Sequence, residues 1–110
     1  MLRRYNMFIN NLEATLYKGE SKVLHFVIRK RALVSYEVFD DDLLPAAMRK
    51  LGVTYVTVND FFKYRVCMDG CMGIEEYLRD LGLEVYDFEQ IVRRLEGKNN
   101  IDSYRLVDIT

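Results

Sequence analysis

The sequence predicts a single α+β domain, and three features of the chain indicate it. Two runs rich in β-branched and aromatic residues, 23–28 and 32–39, have the composition and spacing of a β-hairpin. Apolar periodicity indicates two short amphipathic helices, at 74–81 and 87–95, and a last strand at 103–109. A chain of 110 residues that is 50% hydrophobic, with one proline, has the size and composition of one domain, spanning residues 1–110.

The hairpin is expected to carry a basic tip, because Arg29, Lys30 and Arg31 separate its two strands. Neither strand has a cleanly polar face, so both sides of the hairpin are expected to be partly covered. We expect the C-terminal strand to join this hairpin in a small antiparallel sheet, packed by three or four short helices.

Residues 5–17 fit two structures. Their apolar side chains have helical spacing, whereas Asn10-Asn11 suits the turn of a short hairpin. The helix is slightly favoured, with Gly19 ending it. The residues at helical spacing are Tyr5, Phe8, Ile9, Leu12 and Leu16.

The middle of the chain predicts two further helices. Asp40-Asp41-Asp42 favours a helix start, since acidic side chains suit the unpaired amides of a first turn, and Pro45 is tolerated there. Gly52 is expected to end this helix and residues 53–56 to be extended. Thr57 to Asp60 resembles a capping box for a helix that ends near Asp69-Gly70.

The two C-terminal helices have the clearest boundaries. The first has its apolar residues at i, i+3, i+4 and i+7 from Ile74, and Gly82 stands where a left-handed cap belongs. The second is opened by Asp87, with Gln90 three residues on, and is closed by Gly97.

The charge and the cysteine content restrict the possible functions and the cellular location. Sixteen Lys and Arg against seventeen Asp and Glu leave a net charge of −1, which indicates neither a strongly basic nucleic-acid binder nor a strongly acidic mimic of DNA. The chain has no run of 18 apolar residues and no pattern of a secretory leader, so a cytoplasmic protein is expected. Cys67 and Cys71 are then expected to be free thiols.

Residue patterns for catalysis, metal or cofactor binding are weak. Helix initiation accounts for Asp40-Asp41-Asp42 without a metal, and the phosphate-binding glycine motifs are missing from the sequence. The one histidine, His25, is placed within a strand and is expected to be a hydrogen-bonded strand residue rather than a catalytic base. We therefore expect a protein that is not an enzyme and that needs neither cofactor nor metal.

The aromatic residues suggest a different role. Eight Tyr and six Phe exceed what a small core readily accommodates, and exposed Tyr and Arg are the residue types that anchor protein interfaces. We expect Tyr36 and Tyr64, with Arg29, Lys30 and Arg31, to contact a larger protein partner. A nucleic-acid contact through the basic tip is the alternative, and an open strand edge also allows pairing with a second copy.

Several short segments follow one another in an order that is typical of a known family. They are Phe26-Val27-Ile28-Arg29, 39–45, Asp60-Phe61-Phe62 with Arg65, Glu76-Tyr77-Leu78 with Leu81-Gly82, and Gly97 with Asn99 and Asp102-Ser103-Tyr104. Together they resemble the small accessory domain of HipA-like proteins, which is often encoded in clostridial genomes and mobile elements, although this chain has Arg105 where that domain usually has tryptophan. The resemblance implies a bacterial or mobile-element regulatory module that accompanies a HipA-type kinase and has no kinase activity of its own. A phage-encoded inhibitor of a host defence protein is a variant of the same protein-binding class.

Overall fold

A computed structural model describes residues 7–110 and has one four-stranded sheet with four α-helices, which confirms the α+β class. All strand pairs are antiparallel, in the order β3-β2-β1-β4. The elements are β1 (Asn11–Lys18), β2 (Ser21–Arg29), β3 (Ala32–Val38), α1 (Ala46–Leu51), α2 (Tyr55–Lys63), α3 (Ile74–Asp80), α4 (Phe88–Leu95) and β4 (Tyr104–Val107), with a 3-10 turn at Asp41–Leu43 before α1.

The preference for a helix in residues 5–17 is wrong, because β1 occupies most of this stretch as a central strand. Leu12, Ala14 and Leu16 are buried at alternate positions, and the strand is paired with a neighbour on both sides. Burial of every second side chain, on a sheet that is covered on one face, thus outweighs the helical spacing of the apolar residues. Tyr5, on which that spacing also depended, lies outside the described residues.

The predicted hairpin is confirmed as β2 and β3. Lys30 and Arg31 form its two-residue turn, with φ of 51° and 62° respectively, the left-handed conformation that lets a tight turn follow the twist of the strands. The C-terminal strand joins the sheet but at a different position from the one expected. β4 pairs with β1, not with the hairpin, so β3 is left at one edge of the sheet.

The hydrophobic core lies between one face of the sheet and the helices. Phe26 of β2 meets Phe62 of α2 with ring centroids 6.1 Å apart, and Val92 of α4 and Leu106 of β4 belong to the same cluster. The N-terminal approach to β1 is held by Asn59 of α2. Its side-chain oxygen accepts from the backbone N–H of residue 9 at 2.9 Å, and its nitrogen donates to the carbonyl of residue 7 at 3.0 Å.

The middle of the chain differs from the prediction in where its helices begin. Asp41 and Asp42 lie in the 3-10 turn, and α1 begins only after Pro45. Residues 53–56 are not an extended piece, since α2 begins at Tyr55. The helix also ends at Lys63 and not near Asp69-Gly70, which lies in a separate turn closed by a bond from the N–H of Cys71 to the carbonyl of Met68. The capping box joins Thr54 to Thr57 through reciprocal side-chain bonds, three residues earlier than predicted.

The two C-terminal helices have the predicted boundaries within one residue. Gly82 follows α3 with φ of 75°, and Asp87 caps α4 by accepting from the N–H of Gln90 at 3.2 Å. None of the helices among residues 7–110 combines the length and the apolar character needed to span a bilayer.

The expectation of two free thiols is wrong, because Cys67 and Cys71 form a disulfide. The Asp69-Gly70 turn brings their Cα atoms to 6.3 Å, within the range that a disulfide bridges. An Asp-Gly pair favours a turn, and residues that flank a tight turn face each other, so the local sequence does carry a signal for this pairing.

Removing the disulfide is expected to lower the free energy of unfolding by about 2 kcal/mol, because a cross-link over so short a loop removes little entropy from the unfolded chain. Urea unfolding of the wild type with and without a thiol reductant measures this difference. The double variant Cys67→Ser with Cys71→Ser is the control and should have the reduced stability under both conditions. Equal stability of the oxidised and reduced wild type would contradict the prediction.

Candidate functional site

The structure places four of the five residues expected to contact a partner on one hairpin. Arg29, Lys30 and Arg31 form the end of the hairpin, and Tyr36 lies on its outer strand, β3. Tyr64 lies at the end of α2, a separate element, where it is 81% exposed. The hairpin is therefore the element on which a single site can be built.

The basic tip is held by neighbouring side chains. Arg29 donates to the Glu13 carboxylate at 3.2 Å, and Arg31 donates to the side-chain oxygen of Asn10 at 2.8 Å. The Arg31 guanidinium also lies over the Phe8 ring, 4.9 Å from its centroid. Both arginines thus have contacts within the protein that a phosphate group would have to replace or share.

A groove of about 690 Å³ adjoins the tip, between Arg31 and Phe8 on one side and α3 and the start of α4 on the other. Leu78 and Phe88 are buried among its lining residues. Five carboxylates line it against the one guanidinium, which makes the surroundings of the tip acidic and unfavourable for a nucleic-acid backbone. They are Asp69, Glu75, Glu84, Asp87 and Glu89.

The two edge strands of the sheet differ in whether their outward backbone groups are hydrogen-bonded. At the β4 edge, the backbone N–H of Leu106 donates to the carbonyl of Glu96 at 2.7 Å, and Arg65 donates to the carbonyl of Tyr104 at 3.3 Å. At the β3 edge, the hydrogen bonds that the structure shows within residues 7–110 run only to β2. β3 is therefore the open edge of the sheet.

The open edge also carries exposed apolar side chains. Val34, Tyr36 and Phe39 are 57%, 51% and 43% exposed. Tyr36 is paired with the core residue Phe26, so its side chain lies on the helix-bearing face of the sheet, at the margin. A bulge at Val34 interrupts the pairing near the tip, and the regular part of the edge therefore begins at residue 35.

His25 is hydrogen-bonded within the strands, as expected. Its Nδ1 lies 2.9 Å from the Thr15 hydroxyl and its Nε2 lies 3.2 Å from the Glu13 carboxylate. This sequence of carboxylate, imidazole and hydroxyl resembles a relay to a nucleophile, but the hydroxyl-bearing residue, Thr15, is only 8% exposed in a central strand and does not line the groove beside the hairpin tip. The three side chains link β1 to β2.

The sequence predicts Tyr36 as a contact residue and an open strand edge in the sheet, but it does not show that β3 is that edge. One signal was present. Ala32–Val38 contains no Lys, Arg or Pro, the residues that commonly protect an edge strand from pairing. The position of β3 at the edge depends on where β1 and β4 pair, and no local pattern gives that. Comparison of the chain with protein-family models, with curated proteins and with solved structures finds no match.

Proposed function

We propose that the chain is a non-enzymatic protein-binding module that adds the edge strand β3 to a strand of a larger protein and thereby modulates that protein. The observation that carries this proposal is the open edge of β3 with Tyr36 exposed on it. An unpaired edge offers backbone donors and acceptors in a row, and an added strand uses them for affinity and its alternate side chains for specificity.

The backbone of the edge supports this mode of docking. The N–H of Phe39 donates to the carbonyl of Val23 at 2.8 Å, so the backbone groups of Phe39 face β2. Because these groups alternate along an antiparallel pair, those of Tyr36 and Val38 face away from the sheet. Two residues of regular strand are thus available to pair with a partner strand.

The side chains of the edge indicate the partner's chemistry. Tyr36 lies on the helix-bearing face of the sheet, and Glu37, paired with His25, lies on the opposite face. A partner strand would place an apolar or aromatic residue beside Tyr36 and a Lys or Arg beside Glu37, since such cross-strand pairs stabilise a sheet. Phe39, just beyond β3, is a further exposed apolar side chain near the end of this edge.

The size of the edge favours a larger protein over a second copy. A stable interface takes about 20 to 30 residues from each partner. Residues 35–39 are the regular part of the open edge, and two copies paired through this stretch alone would fall well short of that. A larger partner can extend the contact to the neighbouring surface, including the exposed hairpin tip.

The two alternative functions expected from the sequence are supported to different degrees by the contacts around the hairpin. A nucleic-acid regulator would depend on a basic tip whose arginines bind Glu13 and Asn10 beside an acidic groove. A phage-encoded inhibitor of a host defence protein would use the same open edge and differs only in its partner. The resemblance to the HipA-like accessory domain makes a HipA-type kinase the first purified partner to test.

We propose a cytoplasmic location for this module, and the disulfide provides a test of it. A disulfide persists in oxidising compartments, whereas cytoplasmic thiols are kept reduced. Alkylation of the protein in its native cells before lysis, followed by mass measurement, is expected to label both Cys67 and Cys71. Unlabelled cysteines would place the protein in an oxidising compartment instead.

The substitution Tyr36→Lys is expected to weaken binding to the partner about tenfold or more, because it removes the exposed aromatic anchor and places a charge at the open edge. The partner is first captured by a photo-crosslinking amino acid at position 35 and then purified. Calorimetric titration measures its Kd for the wild type and the variant. Amide hydrogen exchange is expected to slow at residues 35–39 in the complex.

The matched control is Leu51→Lys, which places the same charge at an exposed apolar side chain of α1, outside the proposed edge. It is expected to leave the Kd unchanged. A partner that binds Tyr36→Lys as tightly as the wild type would overturn the proposal. So would binding to duplex DNA that falls steeply with added salt while protein capture at position 35 fails.

A further inference from the structure

Four sulfur-containing residues lie within six positions of the loop between α2 and α3. Cys67 and Cys71 are joined as a disulfide, and a methionine directly follows each of them. Met68 is 45% exposed and Met72 is fully exposed. Methionine usually fills gaps in a core, so a thioether left entirely in water has no packing role that would account for it.

The loop is anchored by contacts that do not involve sulfur. The backbone N–H of Cys67 donates to the Tyr77 hydroxyl at 3.3 Å, and the Tyr86 hydroxyl donates to the carbonyl of Cys67 at 2.7 Å. Burial raises the pKa of Tyr77 and raises the pKa of Tyr86 to about 12, so both hydroxyls keep their protons near neutral pH. A bond of 3.0 Å from the N–H of Cys71 to the carbonyl of Met68 closes the turn.

Because none of these contacts uses a sulfur atom, reduction of the disulfide breaks none of them directly. When a thiol reductant supplies two electrons, the disulfide becomes two thiols and the reductant becomes a disulfide. In the disulfide form the two cysteines lie on the same side of one turn, with their Cα atoms 6.3 Å apart. Two sulfur ligands can converge on one ion from this arrangement.

We propose that the reduced loop Cys67–Met72 binds one thiophilic monovalent cation, Cu(I), through the thiolates of Cys67 and Cys71 assisted by the thioethers of Met68 and Met72. Soft thiolate and thioether ligands select Cu(I) over harder ions. Binding releases the two thiol protons to solvent, because a thiolate and not a thiol is the ligand. No change in the oxidation state of copper is involved.

The ligand set fits Cu(I) better than zinc. A closed zinc site takes four Cys, His or carboxylate ligands. Within residues 7–110, no group of three or more His, Cys, Asp or Glu side chains is placed to share a metal ion. Thioethers complete the set only for a soft ion, and the sole histidine, His25, is bonded to Thr15 and Glu13 in the sheet.

Titration of the reduced protein with Cu(I) under anaerobic conditions, against a chromophoric Cu(I) chelator, tests the proposal. One Cu(I) per chain and the release of two protons are expected, confirmed by native mass spectrometry. The double variant Met68→Leu with Met72→Leu is expected to bind about tenfold more weakly or worse, since it removes both thioethers and keeps both thiols. Met48→Leu, a methionine in the core away from the loop, is the matched control and should bind as the wild type does.

Three results would overturn the proposal: no binding by the reduced wild type, equal affinity in the double methionine variant, or tighter binding of Zn(II) than of Cu(I) in the same assay. Circular dichroism of each reduced variant shows that it is folded, so that lost affinity is not lost structure. Tyr36→Lys should bind Cu(I) normally, and this separates the metal site from partner docking at β3.

Discussion

Replacement of Phe62 by alanine is expected to lower the free energy of unfolding by about 4 kcal/mol. Phe62 is 1% exposed on α2 and contacts Phe26 of β2 and Phe61, with ring centroids at 6.1 and 5.0 Å. It is also one of the side chains closest to Gly97, after α4. The truncation leaves a cavity where α2, the sheet and the end of α4 meet, and the rigid surroundings of a core fill such a cavity only in part.

Chemical denaturation by urea measures this loss, and Phe39→Ala is the control. Phe39 is 43% exposed at the open edge, so its truncation is expected to cost about 1 kcal/mol or less. A loss below about 1.5 kcal/mol for Phe62→Ala would mean that the core closes over the vacancy and that this contact is not central to packing.

Replacement of Arg65 by methionine is expected to cost about 3 kcal/mol, because it removes a buried guanidinium that hydrogen-bonds two backbone carbonyls, of Gly97 and Tyr104, as well as the carboxylate of Asp102. The Arg65 side chain is 6% exposed and makes two bonds to Asp102, at 2.6 and 2.9 Å. It also donates to the carbonyl of Gly97 at 2.9 Å and lies over the Phe61 ring at 4.6 Å. One side chain thus ties the end of α2 to the segment between α4 and β4.

The exposed Arg79 of α3 provides the matched control, since Arg79→Met makes the same change without breaking such contacts. Its effect is expected to stay within about 0.5 kcal/mol. Thermal and urea unfolding of both variants give the comparison. Equal stability of the two variants would contradict the role assigned to Arg65.

The same ion pair makes stability depend on pH in a defined direction. Hydrogen bonding from Arg65 is the main cause that lowers the pKa of Asp102 below its ordinary value of 3.8. The stability that the ionised Asp102 carboxylate gains from Arg65 is therefore fully present above the pKa that Asp102 has in the unfolded chain. It is lost as the pH falls through the lower pKa that Asp102 has in the folded protein. The difference in stability between the wild type and Asp102→Asn should be constant near neutral pH and shrink below pH 3.8.

The elements that the sequence predicted well are those whose signals are local. α4 has its cap at Asp87 and its apolar stripe within one short segment, and the β2–β3 hairpin has its turn between its own strands. For α2 the signal was also local but ambiguous, because Thr54 and Thr57 can each begin a capping box. A capping box at Thr57 predicts a helix that begins three residues later than α2 does, because the cap in the structure is Thr54.

The features that the sequence did not predict depend on residues far apart in the chain. Thr15 pairs with Val107, and Arg65 meets Asp102, across separations that no periodicity encodes. The candidate site also depends on pairing between residues that are far apart in the chain. Tyr36 was identified by its residue type, but its place on an open edge follows only from the pairing of β1 with β4.

β4 has a consequence for fragments of this sheet. It follows the other three strands in the described residues 7–110 and covers one side of β1 over only four residue pairs. In a variant truncated before Tyr104, β1 would lose this neighbour, so both outer strands of the remaining three-stranded sheet would be uncovered. Such a fragment is expected to self-associate by pairing of strand edges, whereas in the four-stranded sheet β4 keeps β1 covered.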